Sequence, residues 1–193
     1  MGNYFEDRTF EDMHLHDESL DGFEFVDCTF LNCSFDDGAF HGCSFIGCSF
    51  RHCVMRGVEL SNCEMRDARF EVCSLVGMVW SPRSVNASFG VPITSMRSCM
   101  LRYSQFRDIS MQGTEFDGSV LAGSTFSDCN ISGGSFRGCD LEDAEFLRCN
   151  LAGADFREAS GYGIDLESCR VKKARFSFPE VVGLLRTLYI VID

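Results

Sequence analysis

Twelve cysteines and four histidines are the residues of this 193-residue chain with the most specific chemistry to offer. Cys28 with Cys33, and the series Cys43, Cys48, Cys53, have spacings that resemble zinc-ligand sets, with His41 and His52 close by. The rest of the sequence supplies a plainer reason for them. Every cysteine sits two residues before a large apolar residue in a five-residue register, so one slot that needs a small apolar side chain accounts for all twelve. No metal site is expected, and reduced, buried thiols suit the cytosol. His14 and His16 are assigned to opposed or corner slots of one turn, and no Ser-His-Asp or Cys-His pattern stands out. Gly133 and Gly134 fall in corner and inward slots, which leaves no phosphate-cradling glycine motif. Carboxylate pairs are abundant but lie on exposed slots. The chain reads as a non-enzyme with no cofactor.

The elements that position these residues follow from the register. From Phe5 to Trp80, all 16 positions divisible by five are large and apolar. Neither a helix, with period 3.6, nor a strand, with period 2, gives such spacing. A chain that turns a corner every five residues does, and four corners return it one strand spacing, about 4.8 Å, above its start. The period breaks across residues 81–95 and resumes one residue out of phase at Met96, continuing through Phe156 and, after a weak Gly161, through Leu166, Val171 and Phe176. The phase fixes the inserted length only modulo five, so one, six or eleven extra positions fit equally. Pro82 and Pro92 cannot donate ladder bonds, so a protruding loop is expected within about 81–92. Two residues after each large residue lie 12 of the 18 glycines, joined by Asp and Asn, the types that tolerate a left-handed corner.

Beyond Phe176 the period stops. Ser177 reads as an N-cap, Pro179 as first-turn and Glu180 as the partner of a capping box, predicting an α-helix with Val181, Leu184, Leu185 and Leu188 on one stripe. Tyr189, Ile190 and Val191 follow as a β-prone tail. Residues 177–193 thus read as a cap over the end of a 1–176 stack, and as a two-fold dimer contact.

The net charge of −12 is unevenly spread: net −10 over residues 1–40, +4 over 51–107, −9 over 108–167 and +3 over 168–193. Such acidity argues against nucleic-acid binding and membrane docking, and for a basic partner. No apolar run approaches the roughly 20 residues of a membrane span, and MGNYFEDRTF lacks a signal peptide's character, so a cytoplasmic location is expected.

The stretches CDLEDAEF (139–146) and CNLAGADF (149–156) resemble the pentapeptide-repeat family, in which a small residue precedes Asp or Asn and then Leu or Phe. The likeness covers about residues 3–176 and implies an all-β fold, a right-handed quadrilateral β-helix. Within the family, GYGIDLESCRVKKARF, the tail ARFSFPEVVGLLRTLYIVID and VGMVW before a break look like the Qnr, MfpA and McbG group. That resemblance implies a DNA-mimicking homodimer, joined at its C-termini, that binds DNA gyrase or topoisomerase IV and protects it from quinolones or peptide toxins. It also implies that the loop (Pro82, Arg83, Ser84, Asn86, Phe89) touches the enzyme outside its DNA-binding saddle, although Arg83 departs from a DNA-like surface.

Assigned to four sides, the acids of the second run give a candidate docking surface of Asp108, Asp117, Asp128, Asp140, Glu142, Asp143, Glu145, Asp155 and Asp165. Asp108 and Asp128 are separated by four pentads, as are Glu145 and Asp165, so each pair should stack. A two-subunit rod of about 80–100 Å carries twice the formal −12, whereas duplex DNA of that length carries on the order of 50–60 charges. Mimicry therefore rests on local stripes. The competing reading is a generic acidic pentapeptide-repeat scaffold with no topoisomerase partner. If the C-terminal stripe joins two chains, Leu188→Asp halves the sedimenting mass in analytical ultracentrifugation; an unaltered mass removes the end-to-end dimer.

Overall fold

Short parallel strands stack into a β-solenoid of about eight turns, in which Phe5 pairs with Phe25 and Phe25 in turn with Phe45. The computed structural model describes residues 3–86 and 90–188, the side chains of Asn86 and residues 186–188 excepted. Phe89, Tyr189, Ile190 and Val191 lie outside the described residues, as does the Leu188 side chain.

Four walls enclose the core. The first stacks Tyr4–Glu6, Glu24–Val26, Ser44–Ile46, Cys63–Arg66 and Val85–Asn86; the second stacks Thr9–Glu11, Thr29–Leu31, Ser49–Arg51, Ala68–Glu71 and Ile93–Arg97. The third stacks His14–His16, Ser34–Asp36 and Val54–Arg56, and continues through single bridges at Ser74, Met100, Val120 and Asp140. The fourth stacks Ser19–Asp21, Ala39–His41 and Glu59–Ser61, then resumes with Val79–Trp80, Gln105–Arg107, Thr125–Ser127, Asp140–Leu147 and Ser160–Ile164. His14 and His16 both flank Leu15 on one strand and face outward together, not in opposed or corner slots.

Corners are set by residues with positive φ. In most of them Gly, Asp or Asn adopts the left-handed conformation, and the corner amide donates to a carbonyl of the next turn, as from Asp7 to Val26 at 3.0 Å. The large residues point inward and stack by type. Phe30 and Phe50 lie 4.7 Å apart and 5° from parallel, as do Phe126 and Phe146 at 4.7 Å and 2°. Neighbouring columns meet edge to face, as Phe126 and Phe136 do at 5.8 Å and 89°. Both arrangements suit the aromatic quadrupole.

The cysteine slot carries more than volume. Each thiol that fills it is buried, and Cys48 Sγ donates to the Phe25 carbonyl of the turn below at 3.4 Å. In the second run Ser104, Thr114, Ser119 and Ser124 occupy the same slot, and Ser119 Oγ donates to Met96 O at 2.6 Å while accepting from Cys99 N–H at 2.8 Å. The slot thus accepts a small or apolar side chain, and where that side chain can donate it bonds a carbonyl of the turn below; Val58, Ala68, Ile109, Ala144 and Ala154 fill it without donating. Burial pushes the Cys48 and Cys139 thiols up to about 12, which keeps them protonated.

The sequence marks two breaks in the period but does not fix their lengths. A regular corner bond runs from Asp7 to Val26 or from Asn32 to Arg51. At the same spacing Asn62 would meet Ser81, Asp67 would meet Asn86 and Val72 would meet Val91. They reach Arg83, Val91 and Arg97 instead, so the offset grows from two to five to six. The insertion is therefore six long and absorbed in three steps, the last a bulge between Ala68/Ile93 and Arg69/Ser95. The expected protruding loop is in part wall: Ser84 and Val85 are buried, and Val85 pairs with Cys63, while Pro82 and Arg83 are exposed. The second departure is a contraction. Asp140 keeps its regular partner, Ser160, but Phe146 pairs with Ile164 where the period would bring Leu166, so Ile164 fills the core instead.

The C-terminal element, Glu180–Leu188, is a 3₁₀ helix rather than the α-helix predicted. Gly183 and the β-branched Val181 and Val182 weaken α propensity, and so short an element cannot impose it. Ser177 Oγ accepts from the Glu158 amide instead of capping the helix. Leu184 is buried and Val181 packs against the column's end, whereas Phe178 and Val182 are exposed.

Gly161 and Gly153 share the same backbone state, with φ of 74° and 73°, but a Cβ on Gly161 meets backbone atoms of Glu142 at 2.7 Å, while one on Gly153 meets nothing nearer than 4.0 Å. Gly153→Ala is expected to cost about 1–2 kcal/mol for the left-handed backbone alone, and Gly161→Ala a further 1–3 kcal/mol for the overlap, roughly. Urea denaturation of the two variants measures the difference; equal losses would show that the contact at Gly161 relaxes freely.

Candidate functional site

The candidate acids separate by their partners. Asp128 occupies a corner with φ 57°, directly above the corner of Asp108, and Arg148, one turn on, grips it through two bonds of 2.7 and 2.8 Å. Asp155 is held by its own strand neighbour Arg157, Nε to Oδ1 at 2.9 Å and Nη2 to Oδ2 at 2.5 Å. Glu115 pairs with Arg97 at 2.7 Å and Glu158 with Arg137 at 2.8 Å. Asp117 accepts a short bond from Ser135 Oγ. The second wall, which continues beyond Ile93–Arg97 through the bridges Ser95 to Glu115, Glu115 to Ser135 and Ser135 to Asp155, is thus a lattice of alternating charge and not an acidic stripe.

Asp165 was expected to stack on Glu145, but the two-residue contraction places Gly163 there. Asp165 instead closes its own turn, accepting from Glu167 N–H at 3.0 Å and Ser168 Oγ at 2.5 Å. Asp108 is exposed and, among the described residues, has no cationic partner.

What remains is one turn. Asp140 and Glu142 flank Leu141 on the third wall, Asp143 sits at the corner with φ 56°, and Glu145 begins the fourth wall. Glu142, Asp143 and Glu145 are exposed and without a cationic partner among the described residues; Asp140 has only Arg102, at 3.7 Å. The cap helix brings Glu180 to the same place. Asp143, Glu145, Gly161, Tyr162, Glu180 and Gly183 help line an open cleft of about 560 Å³. The Tyr162 hydroxyl is buried with no hydrogen-bond partner among the described residues, and burial, reinforced by Glu180, pushes it up to about 12. The sequence left Glu180 as a helix cap and Tyr162 unremarked. The two-residue contraction that joins them has no periodic signature beyond the missing apolar residue at Gly161.

Other acids lie elsewhere. No carboxylate of residues 3–40 is paired with Lys or Arg among the described residues, although that stretch carries net −10 with residues 1 and 2 included. His16, Asp17 and Asp37 bring one ligand atom each within 4.8 Å of the others, all on exposed side chains. Exposed apolar side chains concentrate at mid-column, at Val72, Val76, Val79, Met100 and Tyr103, a group that the search for carboxylates overlooked.

Arginine pairing has a consequence in acid. The guanidiniums of Arg148 and Arg157 hold Asp128 and Asp155 below the ordinary 3.8, and the Ser168 hydroxyl does so for Asp165. A depressed carboxylate stabilises the fold above its unfolded value, and that stability is lost as pH falls through the lower folded value. Asp155→Asn should therefore shrink the loss of stability on acidification below about pH 4, read as the urea midpoint between pH 5 and pH 2. An unchanged slope would show that the Arg157 pair adds nothing to folding.

Comparison with known proteins agrees with this architecture. A pentapeptide repeat region profile matches residues 23–88, and a nine-copy pentapeptide repeats profile matches residues 116–160. Among solved structures, HetL from the cyanobacterium Nostoc sp. strain PCC 7120, a pentapeptide repeat protein involved in heterocyst differentiation regulation, is 14% identical. The match covers 89% of this chain and 86% of HetL at a TM-score of 0.47. Full-length QnrB1, a plasmid-mediated fluoroquinolone resistance protein, is 19% identical, covering 94% of this chain and 100% of QnrB1 at a TM-score of 0.42. No curated protein matches the chain by sequence. The five-residue corners, the stacked centres and the two matched repeat regions together make the chain a pentapeptide-repeat protein.

Proposed function

We propose that the chain is a non-catalytic docking rod whose acidic turn, Asp140, Glu142, Asp143 and Glu145 with Glu180 beside it, binds the basic DNA-binding surface of a type II topoisomerase and shields that enzyme from inhibitors. The observation that carries the proposal is the concentration of unpaired carboxylates in one turn next to the C-terminal cap, while most other acids of the second run are bound to arginine, serine or their own turn. Unpaired like charges in one turn repel one another and do nothing for folding. They are suited to a cationic surface, where neutralisation recovers that repulsion and long-range attraction speeds encounter. The topoisomerase as partner comes from the resemblance of the C-terminal segments to the Qnr, MfpA and McbG group. The area matched is a local patch, so the rod competes with a short length of DNA.

A generic interaction scaffold is the second reading, and the arginine lattice of the second wall favours it, because a wall of alternating charge does not resemble a phosphate backbone. A gyrase supercoiling and cleavage assay separates the two. On the proposal, added protein restores supercoiling in the presence of a quinolone, and Glu142→Gln, Asp143→Asn and Glu145→Gln combined lower the effect at least tenfold. Asp128→Asn and Asp155→Asn leave it nearly unchanged, and raised salt weakens it. No effect of the parent protein at micromolar concentration and low salt selects the scaffold.

A further inference from the structure

The contraction at Gly161 leaves a gap in the wall where a regular turn has side chains. Ala144 meets Tyr162 on its rung and Glu145 meets Gly163, so no side chain stands beside Glu145 on the next turn. Gly161 itself runs against the backbone of Glu142, where even a Cβ would overlap. The helix Glu180–Leu188 borders the gap without filling it, and an open cleft of about 560 Å³ is what is left.

Three carboxylates line this cleft from separate places in the chain: Asp143 at the corner, Glu145 on the strand and Glu180 on the helix. All three are exposed, and none has a cationic partner among the described residues. Exposed acids of this kind are common on protein surfaces. What sets these apart is Tyr162, which also lines the cleft, is only 7% exposed and has a buried hydroxyl with no partner among the described residues. Buried hydroxyls are nearly always bonded, because one left unmade has given up its bonds to water for nothing. This hydroxyl keeps its proton at neutral pH, since burial and the nearby Glu180 push it up to about 12. Its oxygen can therefore accept a hydrogen bond from a cation that the carboxylates attract.

Spacing decides which cation. Among the described residues, the one group of three whose ligand atoms all fall within 4.8 Å of one another is His16, Asp17 and Asp37. Asp143, Glu145 and Glu180 are spread more widely, too far apart to share the shell of one Mg²⁺ or Ca²⁺, whose oxygens lie about 2.0–2.6 Å from the ion. Between the acids the lining is apolar or bare, with Ala144, Pro179, Val182 and three glycines. Positive charges joined by methylenes match such a surface, because the stems cover apolar atoms while each charge reaches an acid.

We propose that the cleft binds an aliphatic polyamine, whose ammonium groups pair with Asp143, Glu145 and Glu180 and donate to the Tyr162 hydroxyl oxygen while its methylenes lie over Ala144, Pro179 and Val182. The site shares carboxylates with the acidic turn but does not depend on what that turn docks against. A bound polyamine neutralises those carboxylates, so it competes with any basic partner of the turn.

The test titrates the full isotope-labelled chain with spermidine at low salt, following the Gly161, Gly163 and Gly183 amides by NMR and the heat of binding by calorimetry. Those amides should shift saturably. n-Butylamine, which has a single charge, and Mg²⁺, which has no stem, should each bind at least tenfold more weakly. Glu145→Gln and Glu180→Gln combined should weaken spermidine at least tenfold and Tyr162→Phe at least threefold, while Asp108→Asn leaves it unchanged. Tyr162→Phe should keep or raise the urea midpoint of the free chain, because an unbonded hydroxyl adds nothing to folding. A lowered midpoint would overturn the hydroxyl's role by showing that it is already bonded. Absence of a saturable shift at millimolar spermidine would overturn the proposal. Equal binding of Mg²⁺ would overturn it in favour of a diffuse counterion cloud, and undiminished binding by Tyr162→Phe would remove the hydroxyl from the site. The chain is titrated alone, so a failed supercoiling assay overturns the docking reading and leaves this one standing.

Discussion

Everything in this molecule depends on a backbone that turns left-handed once every five residues and donates its corner amide to the turn above. The bond is short-range in space and long-range in sequence, so no corner is stable without the next turn in place. The strength of this constraint shows where the side chain objects. Val72, Tyr103, Arg148, Glu158 and Lys173 all hold positive φ, and for Val72, a β-branched residue at 54°, the conformation is a true outlier. The Val72 amide still reaches Arg97 O at 3.0 Å. The ladder outweighs the local preference of the residue it passes through.

Much of this architecture was legible because the period is carried by residue types with one job each. Phe, Leu and Met fill the column, and Gly, Asp and Asn turn the corners. The parts that escaped were changes in count rather than in type. Six inserted residues divided over three places leave the same phase as six in one loop, so Ser84 and Val85 were read as loop although they belong to a wall. Near residue 161 the chain loses two residues and regains them at Asp165–Ser168, which moved Asp165 off its expected rung. The cysteine slot was read only in part. Its small apolar volume was legible, and only Ser104, Thr114, Ser119 and Ser124 in the same position show that a donor placed there also bonds a carbonyl of the turn below.

The acidic surface was half-legible for a similar reason. Sequence placed the carboxylates on their walls but could not tell which of them meet an arginine. Asp128 finds Arg148 a full turn away, and Asp155 finds Arg157 two places along, because one pair lies across a rung and the other along a strand. Formal charge counted both as free. The functional reading consequently narrowed from a stripe over the second half of the chain to a single turn that Glu180 completes from the cap.

The fourth wall, in which Glu59–Ser61 and Val79–Trp80 are not paired with each other, also bears on how the column responds to force. A stack fastened on all four sides at a level resists bending equally in every direction, whereas this one is fastened on three at the level of Leu60 and Trp80. Bending there meets least resistance when it widens or narrows the open side. The turns on either side can then change their angle there while each keeps its own stacking intact.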